Sequence, residues 1–391
     1  MRLLSILSLT LAAACAGPRQ SADPPAADGS LAPHLAGSGE RIVMSWVEPD
    51  PARGPTLRFS TRERGAWGSA RSVVSDPALA ADSVDVPSVV PLAGGGLAAH
   101  WTVKRHGSDH ARDLFVATSA GGVSWSAPAR PHRDDTDSEH GMASIVPAAS
   151  GNGFSIVWLD GRAGELSEYG RGGTSLYEAD SDGAAFAPET ELDPRVCDCC
   201  KTSAAPGPTG PIVAYRDRTD GERRDISLIA RRDGAWSEPT PVHDDGWSLT
   251  ACPTNGPSVA SRGSRVAVAW FTGAHATPSV WAASSADGGR TLGAPLRIDG
   301  GSPSGRVEIA MLDDGAAAVV WLEKKGERAD VRVRRVAADG TLGPPVTVAE
   351  TSASRASGYP RIAALDRGSV LIAWTEVGAK SRVRAKVIAL R

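Results

Sequence analysis

Three stretches of this 391-residue sequence gather side chains that could bind metals, move protons or hold anions. The first is His132-Arg133-Asp134-Asp135-Thr136-Asp137-Ser138-Glu139-His140, two imidazoles framing a run of acids. His132, Asp135, Glu139 and His140 could hold a hard or borderline cation or a polar ligand, and the same composition also suits a solvated loop. The second is Cys197-Asp198-Cys199-Cys200, with Cys252 further on. In an exported chain these four thiols read as two disulfides with three possible pairings. Joining Cys252 to one of the trio would leave a local pair, with the vicinal Cys199–Cys200 link among the options. The alternative is a thiolate metal site of Cys197, Cys199, Cys200 and Cys252 with His243, suited to zinc or copper(I). The third is a set of arginines, Arg162, Arg216, Arg218 and Arg224, each just after an apolar segment. They could clamp a carboxylate or sulfate in bidentate fashion. Asp160, Asp217 and Asp225 lie beside them, so pinning of loops is the expectation for most. No cofactor is called for, a metal ion being the one option left open.

These stretches are held by a repeat. A short apolar segment, a Gly-centred turn and a second apolar segment closing on an aromatic residue recur seven times. The closing residues are Trp46, Trp101, Trp158, Tyr215, Trp270, Trp321 and Trp374, at intervals of 55, 57, 57, 55, 51 and 53 residues. Each copy continues into a third alternating segment, such as "DLFVAT" or "SVWAAS", and then a Gly turn such as "GAWSEP". Four short antiparallel strands per unit around a ring predict an all-β fold, a β-propeller of four-stranded blades. Seven blades are expected, with six plus an irregular unit as the alternative. In Val266-Ala267-Val268-Ala269-Trp270 large residues alternate with Ala, as strands covered on both faces require. The seventh copy ends at "RVRAKVIALR" without a fourth strand, which is either missing or donated by residues before 33.

The topology sorts the loops. Turns between the first and second strands share one end of the ring with turns between the third and fourth. Loops between second and third strands share the other end with the inter-blade connections. His106, His110, His132, His140, His243, His275 and the four cysteines all fall on this second end, between the second and fifth repeats; His34 and His100 lie elsewhere. Binding groups are expected on loops held by a rigid scaffold. The copy that ends on Tyr215 instead of Trp leads into Arg216-Asp217-Arg218, and predicts that the fourth blade borders the site.

Residues 1–15 read as an export signal: Met1-Arg2, an apolar run to Ala14, then Cys15. The Ala12-Ala13-Ala14-Cys15 ending resembles a bacterial lipoprotein signal, which implies a lipid on Cys15 and anchoring at the outside of the cell envelope; a plain signal peptide is the alternative. Residues 16–30 read as a Pro/Ala-rich flexible tether, and 31–391 as one propeller domain. A formal charge of −3 without a Lys/Arg block excludes an electrostatic case for nucleic acid. A monomer is expected, with membrane contact through the lipid alone.

Ser285-Ala286-Asp287-Gly288-Gly289-Arg290-Thr291-Leu292 resembles the Asp box of bacterial neuraminidase repeats, with Leu in place of Trp. "TSAGGVSW" at 118–125 is similar, with Ala120 where the Asp would stand. The chain thus resembles the sialidase-like propellers over nearly all of its mature length. That resemblance implies retaining glycosidase chemistry with a Tyr nucleophile and adjacent Glu, an Asp acid/base and three arginines from different blades. Arg162, Arg216, Arg218, Arg306 and Arg361 are available as arginines, Tyr169 and Tyr359 as tyrosines, Asp135 and Glu139 as acids. The family's first-blade Arg-Ile-Pro is absent; Ala32-Pro33-His34-Leu35 stands there. The reading that follows is a surface-anchored propeller binding a glycan or envelope partner through one loop face, without standard sialidase catalysis. Arg162, Tyr215, Arg216, Asp217, Arg218, His132, Asp135, Glu139 and His140 are its candidate ligand-binding residues. The alternatives are a divergent exo-sialidase or other glycoside hydrolase, and a Cys/His metal-binding envelope protein.

Overall fold

A computed structural model describes residues 22–108, 110–164 and 173–390. The export signal with Cys15, and Tyr169, lie outside the described residues. Seven antiparallel sheets stand around one axis. Their innermost strands are Leu31–Ser38, Ser88–Pro91, His140–Pro147, Ser203–Pro206, Ser258–Arg262, Pro303–Met311 and Arg361–Ala364. Each of these packs beside the next, and the first packs beside the last, so the ring is closed. The second strands are the seven repeat cores, from Arg41–Asp50 to Ser369–Glu376.

The alternation of large and small residues sets the packing. Seven buried apolar clusters fill the seven spaces between neighbouring blades. Val266, Val268 and Trp270 face the fourth blade, while Ala267, Ala269 and Phe271 face the sixth. Every closing aromatic points toward the preceding blade, including Tyr215 toward the third. With successive side chains on opposite faces of a strand, no second strand has a face left for solvent.

The seventh sheet has three strands, Arg361–Ala364, Ser369–Glu376 and Arg382–Ala389. Of the tether expected over residues 16–30, the part from Ala22 on is laid against the outer edge of this sheet. Asp23 Oδ1 accepts the Ala385 N–H at 2.8 Å, and Ser30 Oγ accepts that of Val383 at 2.9 Å. Gly29 N donates to Ser381 O at 2.7 Å, and Ala26 is buried between the seventh and first blades. The same segment reaches the first blade, where Trp67 Nε1 donates to Ala22 O at 2.9 Å. Prolines 24 and 25 lack the N–H groups a regular ladder needs, so side chains replace it. The place of a fourth strand is thus taken by the N-terminal segment.

In the second blade, Leu79–Ala80 and Ser88–Pro91 both pair with Leu97–Lys104, and the residues between them bulge out of the sheet. That bulge carries Asp82 and Asp85 to the end of the ring where the inter-blade connections meet.

Candidate functional site

The loop from 131 to 139 joins the second blade to the third and folds both imidazoles inward. His132 and His140 are 2% and 0% exposed, and their rings stack in parallel at 3.8 Å. His132 Nδ1 lies 3.1 Å from Asp134 O, and His140 Nδ1 lies 3.0 Å from Arg112 O. A carbonyl can only accept, so both Nδ1 atoms carry the hydrogen. His140 Nε2 faces Asp134 Oδ2 at 3.1 Å and Asp160 Oδ2 at 3.7 Å. Among the described residues His132 Nε2 has no hydrogen-bond partner, and it lies 3.8 Å from Asp113 Oδ1. Burial, aided by the neighbouring imidazole, lowers His132 to about 4. The sequence pointed to Asp135 and Glu139 as partners of the two histidines. The acids gathered around them are Asp113, Asp134 and Asp160 instead. Asp135 turns outward to Arg130 at 2.7 Å, because successive residues of an extended segment point to opposite sides.

Glu139 leads into a second group. Its carboxylate is 3.1 Å from Arg112 Nε, and Arg112 also meets Asp82 at 3.0 Å and Asp85 at 3.3 Å. Burial pushes Glu139 up to about 7; Arg112 opposes this, while Asp85, Asp82 and Asp198 add to it. Its side chain keeps 26% of its surface exposed. Asp85 is itself raised by burial, and holds Thr102 Oγ1 and Met142 N. Asp198, raised for the same reason, faces Arg218 and Arg224. Those two arginines grip Glu222, at 2.9 and 2.7 Å. A row of acids and guanidinium groups, with Glu139 and Asp198 adjacent at its middle, therefore crosses blades two, three and four. Asp82, Asp85, Arg112, Asp198 and Glu222 were not singled out from the sequence. Their one signal was the acidic "DSVD" bulge at 82–85.

The other predicted residues are tied within the scaffold. Arg162 meets Asp160 at 2.7 Å and Glu189 at 3.2 Å, with its guanidinium 4.3 Å above the Tyr177 ring. Tyr215 donates to Asp193 Oδ2 at 2.6 Å. Asp217 accepts the Arg218 N–H at 2.7 Å and the Ser227 hydroxyl at 3.1 Å. Arg216, 1% exposed, donates to Asn255 O at 2.8 Å, Phe271 O at 2.7 Å and Arg224 O, and lies over the Trp247 ring. Its donors are committed to backbone, which ties the fourth blade to the fifth. The carboxylate clamp that the arginines could have formed is thus replaced by loop-pinning at Arg162 and Arg216.

Tyr359, the tyrosine among the described residues that a sialidase-type reading would use, is also closed. Its hydroxyl donates to Thr254 O at 2.9 Å and accepts the Gly256 N–H at 3.0 Å. Arg306 is held by Ser354 O, Ser357 Oγ and Gly358 O. Arg361 points into the axial channel, where it meets Glu308 at 2.8 Å. That channel is a cavity of about 220 Å³ where His34, His100 and Lys201 also converge. Burial lowers His100 to about 4 and Lys201 to about 8. Sequence reading set His34 and His100 apart from the loop face; the fold brings them together on the axis.

The cysteines pair as Cys197–Cys200 and Cys199–Cys252, so the link to Cys252 staples consecutive connections and the local pair is not the vicinal one. His243 does not extend this group: its Nδ1 lies 2.7 Å from Asp245 Oδ1, beside Trp270. A cleft of about 790 Å³ lies at the opposite end of the ring between blades three and four, lined by Pro206, Pro208, Phe186, Asp180 and Arg231 among others.

No protein-family model and no curated protein matches the sequence. Solved structures do match in fold. The leech intramolecular trans-sialidase aligns with a TM-score of 0.52 at 10% identity, covering 89% of this chain and 83% of its own. The NanB sialidase of Streptococcus pneumoniae gives 0.50 at 10% identity, covering 92% and 93%. A protein of unknown function from Dyadobacter fermentans gives 0.50 at 17% identity, covering 80% and 96%. The class is therefore a seven-bladed β-propeller of sialidase-like fold. At these identities the likeness is one of architecture.

Proposed function

We propose that this chain is a ligand-binding propeller that takes a glycan, or a glycan-bearing envelope component, on the loop face across blades two to four. The observation that carries this reading is the row Asp82–Arg112–Glu139–Asp198–Arg224–Glu222. Its carboxylates and guanidinium groups supply the acceptors and donors that sugar hydroxyls need. The closed Tyr359 hydroxyl and the committed Arg216 speak against a sialidase-type displacement. Titration calorimetry against a panel of oligosaccharides tests the proposal. A binding isotherm that weakens at least about tenfold (~1.4 kcal/mol) in Glu139→Ala or Asp198→Ala is expected. An isotherm untouched by either change moves the site elsewhere.

The same proposal places the protein at the cell envelope through a lipid on Cys15. Radiolabelled palmitate incorporation, abolished in Cys15→Ala, is its measurement.

One observation favours a second reading, a glycoside hydrolase. A carboxyl with a midpoint about 7 and a quarter of its side chain exposed has the protonation behaviour of a general acid. Release of a fluorogenic aglycone that disappears in Glu139→Gln would select this reading over pure binding.

A further inference from the structure

The axial channel gathers charge that the glycan reading does not use, and its chemistry stands independently of that reading. His34, His100, Glu308 and Arg361 reach it from the first, second, sixth and seventh blades, and Lys201 from the connection into the fourth. Among the residues lining the channel Glu308 is the one carboxylate, set against Lys201 and Arg361. Arg361 donates Nε to Pro33 O at 3.0 Å and Nη1 to Glu308 Oε2 at 2.8 Å, which uses two of its five N–H groups. Lys201 Nζ gives one of its three hydrogens to Pro257 O at 2.9 Å. His34 Nδ1 and His100 Nδ1 are buried with no hydrogen-bond partner among the described residues, and His100 is 2% exposed. Buried polar atoms in that state are costly until something satisfies them. Burial lowers both imidazoles, and Arg361 pushes each further down. The channel thus holds unspent donors and a surplus of positive charge, in surroundings that strengthen both.

We propose that the axial channel binds a phosphate group that keeps a P–OH, held by Arg361, Lys201, His34 and His100. The surplus charge selects an anion. A cavity of about 220 Å³ lies below the roughly 300–1,000 Å³ of sites for drug-sized ligands, so the bound group is small. The donors stand on four sides of the axis, as the corners of a tetrahedral ion require; a flat carboxylate would meet them in one plane. Each neutral imidazole can turn one N–H toward the ion. Glu308 then sets the choice among tetrahedral ions. Its Oε2 is taken by Arg361, and the other oxygen can accept but never donate. A phosphate with a P–OH satisfies that acceptor, whereas sulfate near neutral pH brings another negative oxygen to it. Val86 walls both the channel and a second cavity of about 150 Å³, bordered by Asp82 and Arg355. That cavity is the way in, either for the free ion or for the phosphate end of a monoester.

Titration calorimetry of the full mature protein, in a buffer free of phosphate and sulfate, tests this with three probes: inorganic phosphate, sulfate and glycerol phosphate. One equivalent of inorganic phosphate is expected, with sulfate at least about tenfold weaker, the worth of one hydrogen bond to a charged group. Glycerol phosphate binding as well as the ion would show that an ester end reaches the channel; phosphate alone would make the ligand the free ion. Lys201→Met and His34→Ala should each weaken phosphate about tenfold or more. Glu308→Gln, whose amide can donate, should erase the preference over sulfate. Asp135→Asn, far from the axis, should bind as the parent does. Circular dichroism shows whether each variant folds. Should Lys201→Met fail to fold, His34→Ala, which only enlarges the channel, carries the test. Histidine ring NMR of the parent adds an independent reading, since phosphate should raise the midpoints of two of its imidazoles and those signals should be missing in His34→Ala and His100→Ala. The proposal is overturned if the parent takes up no phosphate or binds sulfate as tightly. Binding that survives undiminished in the folded channel variants overturns it equally.

Discussion

Trp158 Nε1 donates to Asp160 Oδ2 at 2.8 Å, from a strand-closing aromatic to an acid two residues further along the same strand. The pair recurs as Trp46–Glu48 at 2.9 Å and Trp321–Glu323 at 2.6 Å. Side chains two apart on a strand share a face, so the acid stands beside the indole edge. Trp374 breaks the pattern. Its Nε1 has no partner among the described residues, because Glu376 turns to Arg384 at 2.9 Å. Phe in place of Trp removes similar volume at each position, but a hydrogen bond to a charged acceptor at three of them. Urea unfolding should show Trp46→Phe, Trp158→Phe and Trp321→Phe each costing about 1.5–3 kcal/mol more than Trp374→Phe. Equal costs at all four would refute the role of the acids.

The propeller was legible because its packing rule repeats. A ring of covered blades demands the same alternation in every second strand, and seven copies of one signal outweigh local noise. Even Tyr215 fits, since its hydroxyl finds Asp193 from the adjoining connection just as Trp270 finds Asp245. The site was legible by face and not by partner. Asp113 sits at the start of a third strand and Asp160 at the end of a second, in different blades. What brings them to His132 and His140 is the contact of blade two with blade three, which leaves no spacing in the sequence. Asp135 and Glu139 were nearer along the chain, but one faces solvent and the other crosses to Arg112. Lys201 carried no signal either, being a single cation after a cysteine run.

The Cys199–Cys252 bond closes a stretch of 53 residues, and Cys197–Cys200 one of 3. In the chain-entropy account, the longer loop stabilises by about 4 kcal/mol and the shorter by roughly 1.6 kcal/mol. The double variant Cys199→Ser/Cys252→Ser should therefore lose about 2.5 kcal/mol more than Cys197→Ser/Cys200→Ser, read from guanidinium unfolding without reductant. The reverse order would mean that native-state packing of the buried Cys197 and Cys200 outweighs loop closure.

Lys201 stands in the axial channel with its ammonium on Pro257 O at 2.9 Å and 5.0 Å from the Tyr359 ring. Burial brings it down to about 8 from 10.5. Between those values the unfolded chain binds the proton and the folded one has released it, so stability rises with pH across that window. Below about pH 8 the charge is carried in both states and its burial remains a constant cost. Lys201→Met should flatten the slope between pH 8 and 10.5 and leave the fold more stable at pH 7. Parallel slopes in the two proteins would show that Lys201 does not titrate there.

Glu139 works with the opposite sign. Its carboxyl is raised from 4.5 to about 7, so between those values the folded state holds a proton that the unfolded chain has lost. The stabilising contribution is complete below 4.5 and fades as pH climbs to about 7; above that the buried charge leans on Arg112 alone. Glu139→Gln keeps the neutral form at every pH. Its stability should match the parent near pH 4.5 and exceed it at pH 8, compared by urea midpoints. The same proton also bears on binding. A protonated Glu139 can donate to a ligand hydroxyl and an ionised one only accepts. If the ligand takes that donor, affinity of the parent falls as pH passes about 7 while that of Glu139→Gln stays level. Affinities that decline together across pH 7 would leave Glu139 a structural partner of Arg112, with no hand in recognition.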